Sequence, residues 1–187
     1  MNPLKLDPAR SVLLVIDVQE RLAPVMPEEG KACIGAIEHL LEGARLLGVE
    51  VLVSEQYPKG LGLTVAPLRA RLGDHAPLSK IEFDATANAE IAARLDALRG
   101  QGRTHAVVCG MEAHICVFQT ARGLVQRGWH TQVVGDATSA RSESNRALAP
   151  SLWRAAGATV TGTETVLFDW LGQAGSDAFK TLGKRLR

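Results

Sequence analysis

The sequence has almost no net charge: 21 Lys and Arg stand against 20 Asp and Glu, a balance of +1. Without a large positive field, a phosphate backbone or an anionic membrane is a poor candidate partner. The Arg-rich end Lys184-Arg185-Leu186-Arg187 is too short to change that and reads as a solvated terminus. Cysteine is also sparse. Cys33, Cys109 and Cys116 form no CxxC pair and no even-numbered framework, and no charged-then-apolar signal segment precedes Ser11, so a reducing, cytoplasmic setting is expected. No apolar run approaches the roughly 20 residues needed to cross a bilayer.

What is present is enough apolar material for one substantial core: 187 residues, 46% hydrophobic and 22% charged, expected to form one domain over 1–187. Ser11 to Ile16 is a continuous aliphatic run ending at Asp17, the pattern of a strand buried on both faces. Further strands are expected at Val49 to Val53, His105 to Gly110, Trp129 to Gly135 and Ala158 to Gly162. Helical periods fall at Lys31 to Leu47, Ala89 to Leu98, Ile115 to Arg127, Ser142 to Ala156, Thr165 to Leu171 and Ser176 to Leu182, several closed by glycine. The alternation predicts an α/β fold of three layers, an open, mostly parallel sheet of about five or six strands with helices on both faces. Ser54 to Thr86 carries Pro58, Pro67 and Pro77 with Gly60, Gly62 and Gly73 and reads as irregular, except for a short helix from Thr64 to Leu72 with Thr64 as its cap.

Ligands of such folds bind beyond the carboxyl ends of the strands, where strand order reverses. That rule selects Asp17, Ser54 to Tyr57, Gly110 to Cys116 and Asp136 before any motif does. Cys116 falls at the start of a helix, where free N–H groups and the dipole favour a thiolate; it is either an activated nucleophile or one more small core residue. Asp17 is either a turn cap or, if it lies beside Cys116, a proton acceptor for the thiol. Lys80, in Leu78-Ser79-Lys80-Ile81-Glu82-Phe83, reads alone as a surface lysine.

Three ordered blocks, Leu14-Val15-Ile16-Asp17-Val18-Gln19, the isolated Lys80, and Gly110-Met111-Glu112-Ala113-His114-Ile115-Cys116-Val117, give the chain its resemblance to the isochorismatase-like cysteine hydrolases from Ser11 to about Leu171. Glu55-Gln56-Tyr57-Pro58-Lys59-Gly60-Leu61-Gly62 looks most like the isochorismatase-domain-containing subgroup. The resemblance implies an Asp17, Lys80, Cys116 triad: Asp17 takes the thiol proton, Lys80 holds the carboxylate, and the sulfur attacks an electrophilic carbon to give an acyl enzyme. It also implies a cis peptide at Met111–Glu112, with the backbone N–H groups of Glu112 and Cys116 aimed at an oxyanion, and a homo-oligomer, a dimer or tetramer.

Two departures from the resemblance narrow the chemistry. Ser54-Glu55-Gln56 stands where nicotinamidase-like members carry an Asp/His cluster, and the five histidines show no ligand spacing, so no metal and no cofactor are expected. Isochorismatase proper does not use the cysteine, so retention of Cys116 points to acyl or C–N hydrolysis of a small-molecule substrate. With aromatics at 4%, Tyr57 and Phe83 on strand-end loops are candidate pocket walls, with Phe118 nearby and Gln19 and Gln56 as orienting polar groups. His114, Thr138, Ser139 and Ser142 read as structural, Arg141 as structural or as part of an interface, and Cys33 and Cys109 as core. The rival readings are a thiol-based sensor or binding module with little turnover, and a scaffold whose triad is a relic.

Overall fold

The structure, a computed structural model, describes residues 4–184; residues 185–187 of the Arg-rich end lie outside it. Six strands form one sheet: β1 (Ser11–Ile16), β2 (Glu50–Gln56), β3 (Leu78–Lys80), β4 (His105–Met111), β5 (His130–Ser139) and β6 (Thr159–Thr161). Their order is β3-β2-β1-β4-β5-β6, and every pairing is parallel. The helices are α1 (Glu28–Leu47), α2 (Pro58–Leu61), α3 (Ala66–Arg69), α4 (Ala89–Gly100), α5 (Cys116–Gln126), α6 (Glu143–Ala155), α7 (Thr163–Leu171) and α8 (Asp177–Gly183). Among the described residues no helix is long and apolar enough to cross a membrane.

The period-2 alternation of a strand divides the core. Leu13 and Val15 of β1, with Val107 and Cys109 of β4, meet Cys33, Ile37, Leu40 and Leu41 of α1 and Val166, Leu167 and Trp170 of α7. Val12, Leu14 and Ile16, with Ala106 and Val108, meet Ile91, Leu95 and Leu98 of α4, Val117, Ala121 and Leu124 of α5, and Trp153 of α6. Both faces of β1 are therefore buried, which is why it reads as an unbroken aliphatic run. Helix boundaries follow local chemistry. Gly48 at φ +68 closes α1 in the left-handed conformation and returns its N–H to Ala44, while Asn88 and Ser142 cap α4 and α6 with side-chain oxygens.

Three elements differ from expectation. β3 is a strand although its three residues carry no apolar alternation; pairing of Leu78 and Lys80 with Ser54 and Gln56 creates it. β5 does not stop at Gly135 but runs to Ser139, because its register against β4 jumps from Val108↔Val133 to Gly110↔Thr138 and absorbs the Gly135-Asp136 kink as a bulge. The helix expected from Thr64 shrinks to α3 behind Val65, and Thr64 is no cap but a fully buried bridge partner of Gln19.

The chain leaves β1 for β2 and β3 on one side and returns as β4 on the other, so the switch point lies between β1 and β4. There Gly110, at φ +118, packs against the backbone of β1: a Cβ on it would stand 2.1 Å from the Ile16 carbonyl oxygen. Gly110→Ala is expected to cost about 3 kcal/mol, lowering the melting temperature by roughly 6–12 °C. An unchanged melting temperature would show that the two strands can separate without loss.

Candidate active site

β1 ends at Asp17, whose own backbone sits at φ +53 and donates its N–H to the Ser54 carbonyl. That turn brings its carboxylate under the ends of β2 and β3. Ser54 Oγ donates to Asp17 Oδ1 at 2.7 Å, and Lys80 Nζ donates to Oδ2 at 2.7 Å. The ion pair is sealed, with both side chains at 0% exposure. Lys80 spends its other two N–H groups on Gln56 Oε1 at 2.7 Å and the Glu82 carbonyl at 3.1 Å. An ammonium has three donors, so none remains. The lysine that reads as a surface residue is thus a buried one, carried inward on β3.

Cys116 opens α5 and is 7% exposed. The Asp17 carboxylate and the backbone N–H of Glu112 both act electrostatically on its thiol. The Met111–Glu112 peptide is cis. Here the expectation of a resting thiolate is corrected. Burial and the Asp17 carboxylate push the thiol up to about 12, and Lys80 and the Glu112 N–H only partly oppose them. The start of a helix favours an anion, but desolvation and an adjacent negative charge outweigh it. Cys116 therefore rests as a thiol with a carboxylate ready to receive its proton.

The loop that carries the nucleophile is pinned from three directions. Ala113 N–H donates to the Ser139 carbonyl at 2.8 Å and its own carbonyl accepts from Trp153 Nε1 at 3.0 Å. The buried Glu112 carboxylate accepts from Arg141 N at 2.9 Å and Nε at 3.0 Å. Arg141 is thereby tied to the loop, in line with its structural reading. His114 Nδ1 is buried and has no hydrogen-bond partner among the described residues. Asp136 lies within β5 and turns away from this centre, accepting from Thr163 N and Oγ1.

The proposed pocket residues separate into two groups. Gln19 and Gln56, expected to orient a substrate, have their amides engaged inside the chain. Gln19 Nε2 donates to the carbonyls of Gln56 and Gly62, and its Oε1 accepts from Gln56 N. Gln56 holds Lys80 with Oε1 and the Ile81 carbonyl with Nε2. Both position the ion pair and its loop. Tyr57 and Phe83 are instead exposed at 56% and 54%, beside Ile81 at 74%, and flank the strand end that carries Lys80. Phe118 packs beneath the Arg122 guanidinium at 5.3 Å.

The strand-end rule selects Ser54 but gives it no role. Its signal was the i, i+2 spacing with Gln56 at a strand end, which places both on one face of β2, one for each member of the ion pair. The same rule selects Glu55 without a role; its Oε1 takes the Thr64 N–H and hydroxyl at 2.6 and 2.7 Å and fixes the covering loop. Among the described residues no group of three or more His, Cys, Asp or Glu is placed to hold a metal ion.

The arrangement predicts a signed response. Asp17→Asn removes the negative charge beside the sulfur, so the midpoint of the Cys116 alkylation–pH profile should fall, each unit raising the thiolate fraction about tenfold at fixed pH. Lys80→Ala should move the midpoint up. An unchanged or raised midpoint in Asp17→Asn would mean that the carboxylate does not act on the thiol.

The sequence and the fold have known relatives. Residues 11–165 match the isochorismatase domain family. Isochorismatase domain-containing protein 1 of Danio rerio is 36% identical over 95% of this chain, which spans only 61% of that relative's length. Among solved structures, the MAR1 ribonuclease of Caenorhabditis elegans superposes with a TM-score of 0.88 at 32% identity, covering 97% of this chain and 92% of that one. The YcaC gene product of Escherichia coli, described as an octameric hydrolase of unknown specificity, superposes with a TM-score of 0.88 at 20% identity, covering 97% and 90%.

Proposed function

The chain belongs to the isochorismatase domain family, and from that premise we propose that it is a cysteine hydrolase, needing no metal, that cleaves the C–N bond of a small amide or carbamoyl compound or the acyl bond of a related one. The observation that carries this reading is a fully buried carboxylate, Asp17, held by Lys80 at 2.7 Å, whose charge acts on the Cys116 thiol. A structural cysteine has no need of a buried base.

In the proposed reaction the Cys116 sulfur attacks the substrate carbonyl carbon while its proton passes to Asp17. The carbonyl oxygen becomes an oxyanion and accepts from the backbone N–H groups of Glu112 and Cys116. Collapse breaks the C–N bond, and the departing amine takes the proton from Asp17. Water then attacks the thioester and gives a proton to Asp17; the carboxylic acid leaves and the proton returns to sulfur. Lys80 contacts neither reactant. Its charge holds the carboxylate in place and favours the thiolate as it forms.

The sensor reading needs a thiolate that exists at neutral pH, and a thiol pushed up to about 12 speaks against it. A relic scaffold is what the 7% exposure of Cys116 alone would favour. The name of the C. elegans relative raises RNA as a substrate, but a balance of +1 provides no field to gather it. The exposed rim of Tyr57, Leu63, Ile81 and Phe83 supports assembly with further copies, as a dimer or tetramer.

The test is a panel of small amides and carbamoyl compounds with intact-mass detection of a thioester. Wild type should turn over at least one and show the adduct. Cys116→Ala should lose about a thousandfold or more in kcat with no adduct. Full activity in Cys116→Ala would refute the reading, and stoichiometric labelling without product release would favour the sensor.

A further inference from the structure

We propose that the substrate is uncharged at the end that reaches Cys116: an amide, carbamoyl or ester compound with no carboxylate, phosphate or ammonium close to the carbon attacked. This rests on the hydrolase reading above and deepens it.

The buried charges nearest the sulfur are already balanced. Asp17 and Lys80 carry one charge of each sign, both at 0% exposure, and cancel. All three Lys80 donors are taken by Asp17, Gln56 and Glu82, so this cation cannot turn toward a substrate anion. Gln56 is held on both sides of its amide, and Ser54 gives its proton to Asp17. The Glu112 carboxylate, 6% exposed, is neutralised by Arg141, whose side chain is 60% exposed.

Three other charged groups lie on neighbouring segments: the buried Glu55 is turned to the Thr64 N–H and hydroxyl, and Glu82 and Arg122 are likewise engaged elsewhere. Glu82 is turned to Asn88 and to the Ile81 N–H, and Arg122 lies over Phe118. Among the described residues, what is left beside Cys116 is the sulfur, backbone N–H groups and the polar atoms His114 Nδ1 and Ser139 Oγ, which have no partner, while Tyr57, Ile81 and Phe83 are exposed on the segments that adjoin Lys80. A charged group brought there would be desolvated with no opposite charge to meet it. An anion would fare worst, since Asp17 acts on the sulfur more strongly than Lys80 does.

Iodoacetamide and iodoacetate test this on the wild-type protein. They are nearly the same size and react alike: the S–C bond forms, iodide leaves and the thiol proton is lost. One is neutral, the other an anion. The rate of each at Cys116 is followed by peptide mass mapping, and the ratio is divided by the ratio at the same cysteine in the unfolded chain. The folded protein should favour the neutral reagent by about 100-fold beyond the unfolded ratio. A preference below about tenfold would overturn the proposal and leave the hydrolase reading standing. Labelling by neither reagent would overturn both, because Cys116 would then be beyond reach of any substrate.

Discussion

The site depends on one buried ion pair. Asp17 and Lys80 are out of contact with solvent, and their attraction offsets desolvation only because further groups complete their hydrogen bonds. Ser54 serves the carboxylate; Gln56 and the Glu82 carbonyl serve the ammonium. Removing one partner of such a pair costs about 3–5 kcal/mol, so β1, β2 and β3 are held in one register by the groups that would do the chemistry. Gln19 extends the same logic outward. It clasps Gln56 and Gly62, so the loop that covers the site is tied to the strand that carries the ion pair.

A protonated nucleophile follows from that arrangement. The carboxylate that is to accept the proton also discourages its departure at rest, and burial adds to the effect. Such a cysteine reacts more slowly with oxidants and alkylating agents than a standing thiolate does, and is driven to react when a substrate carbon is in place to share the charge. This differs from cysteines activated as standing thiolates. It also explains why the polar residues nearby bind one another: they hold the base, and little remains for holding a substrate's charge.

Much of the fold was legible in the sequence because β1 and β4 are buried on both faces and write their burial as aliphatic runs, while α1 and α4 carry clear helical periods. The same residues located the switch point, and with it Asp17 and Cys116. β3 was not legible: three residues paired to an edge leave no periodic trace, and Lys80 gains its burial only from that pairing. Its place among the functional residues came from resemblance. The β5 bulge hid behind a Gly-Asp pair that reads as a strand end. The roles of Gln19 and Gln56 were assigned to a ligand because sequence shows that a polar side chain is near a site but not which of its atoms are already bonded. The thiol's resting state was misread for a similar reason, since helix position is visible in sequence and a neighbouring carboxylate is not.

The most direct test of this account is a titration of thiolate by its ultraviolet absorbance in the wild-type protein, with Cys116→Ser as the blank. The account predicts that the Cys116 thiolate is absent at neutral pH and grows in only as the pH approaches about 12. A thiolate already formed at neutral pH would contradict it, and would mean that Lys80 and the helix start, rather than burial and Asp17, set the state of the nucleophile.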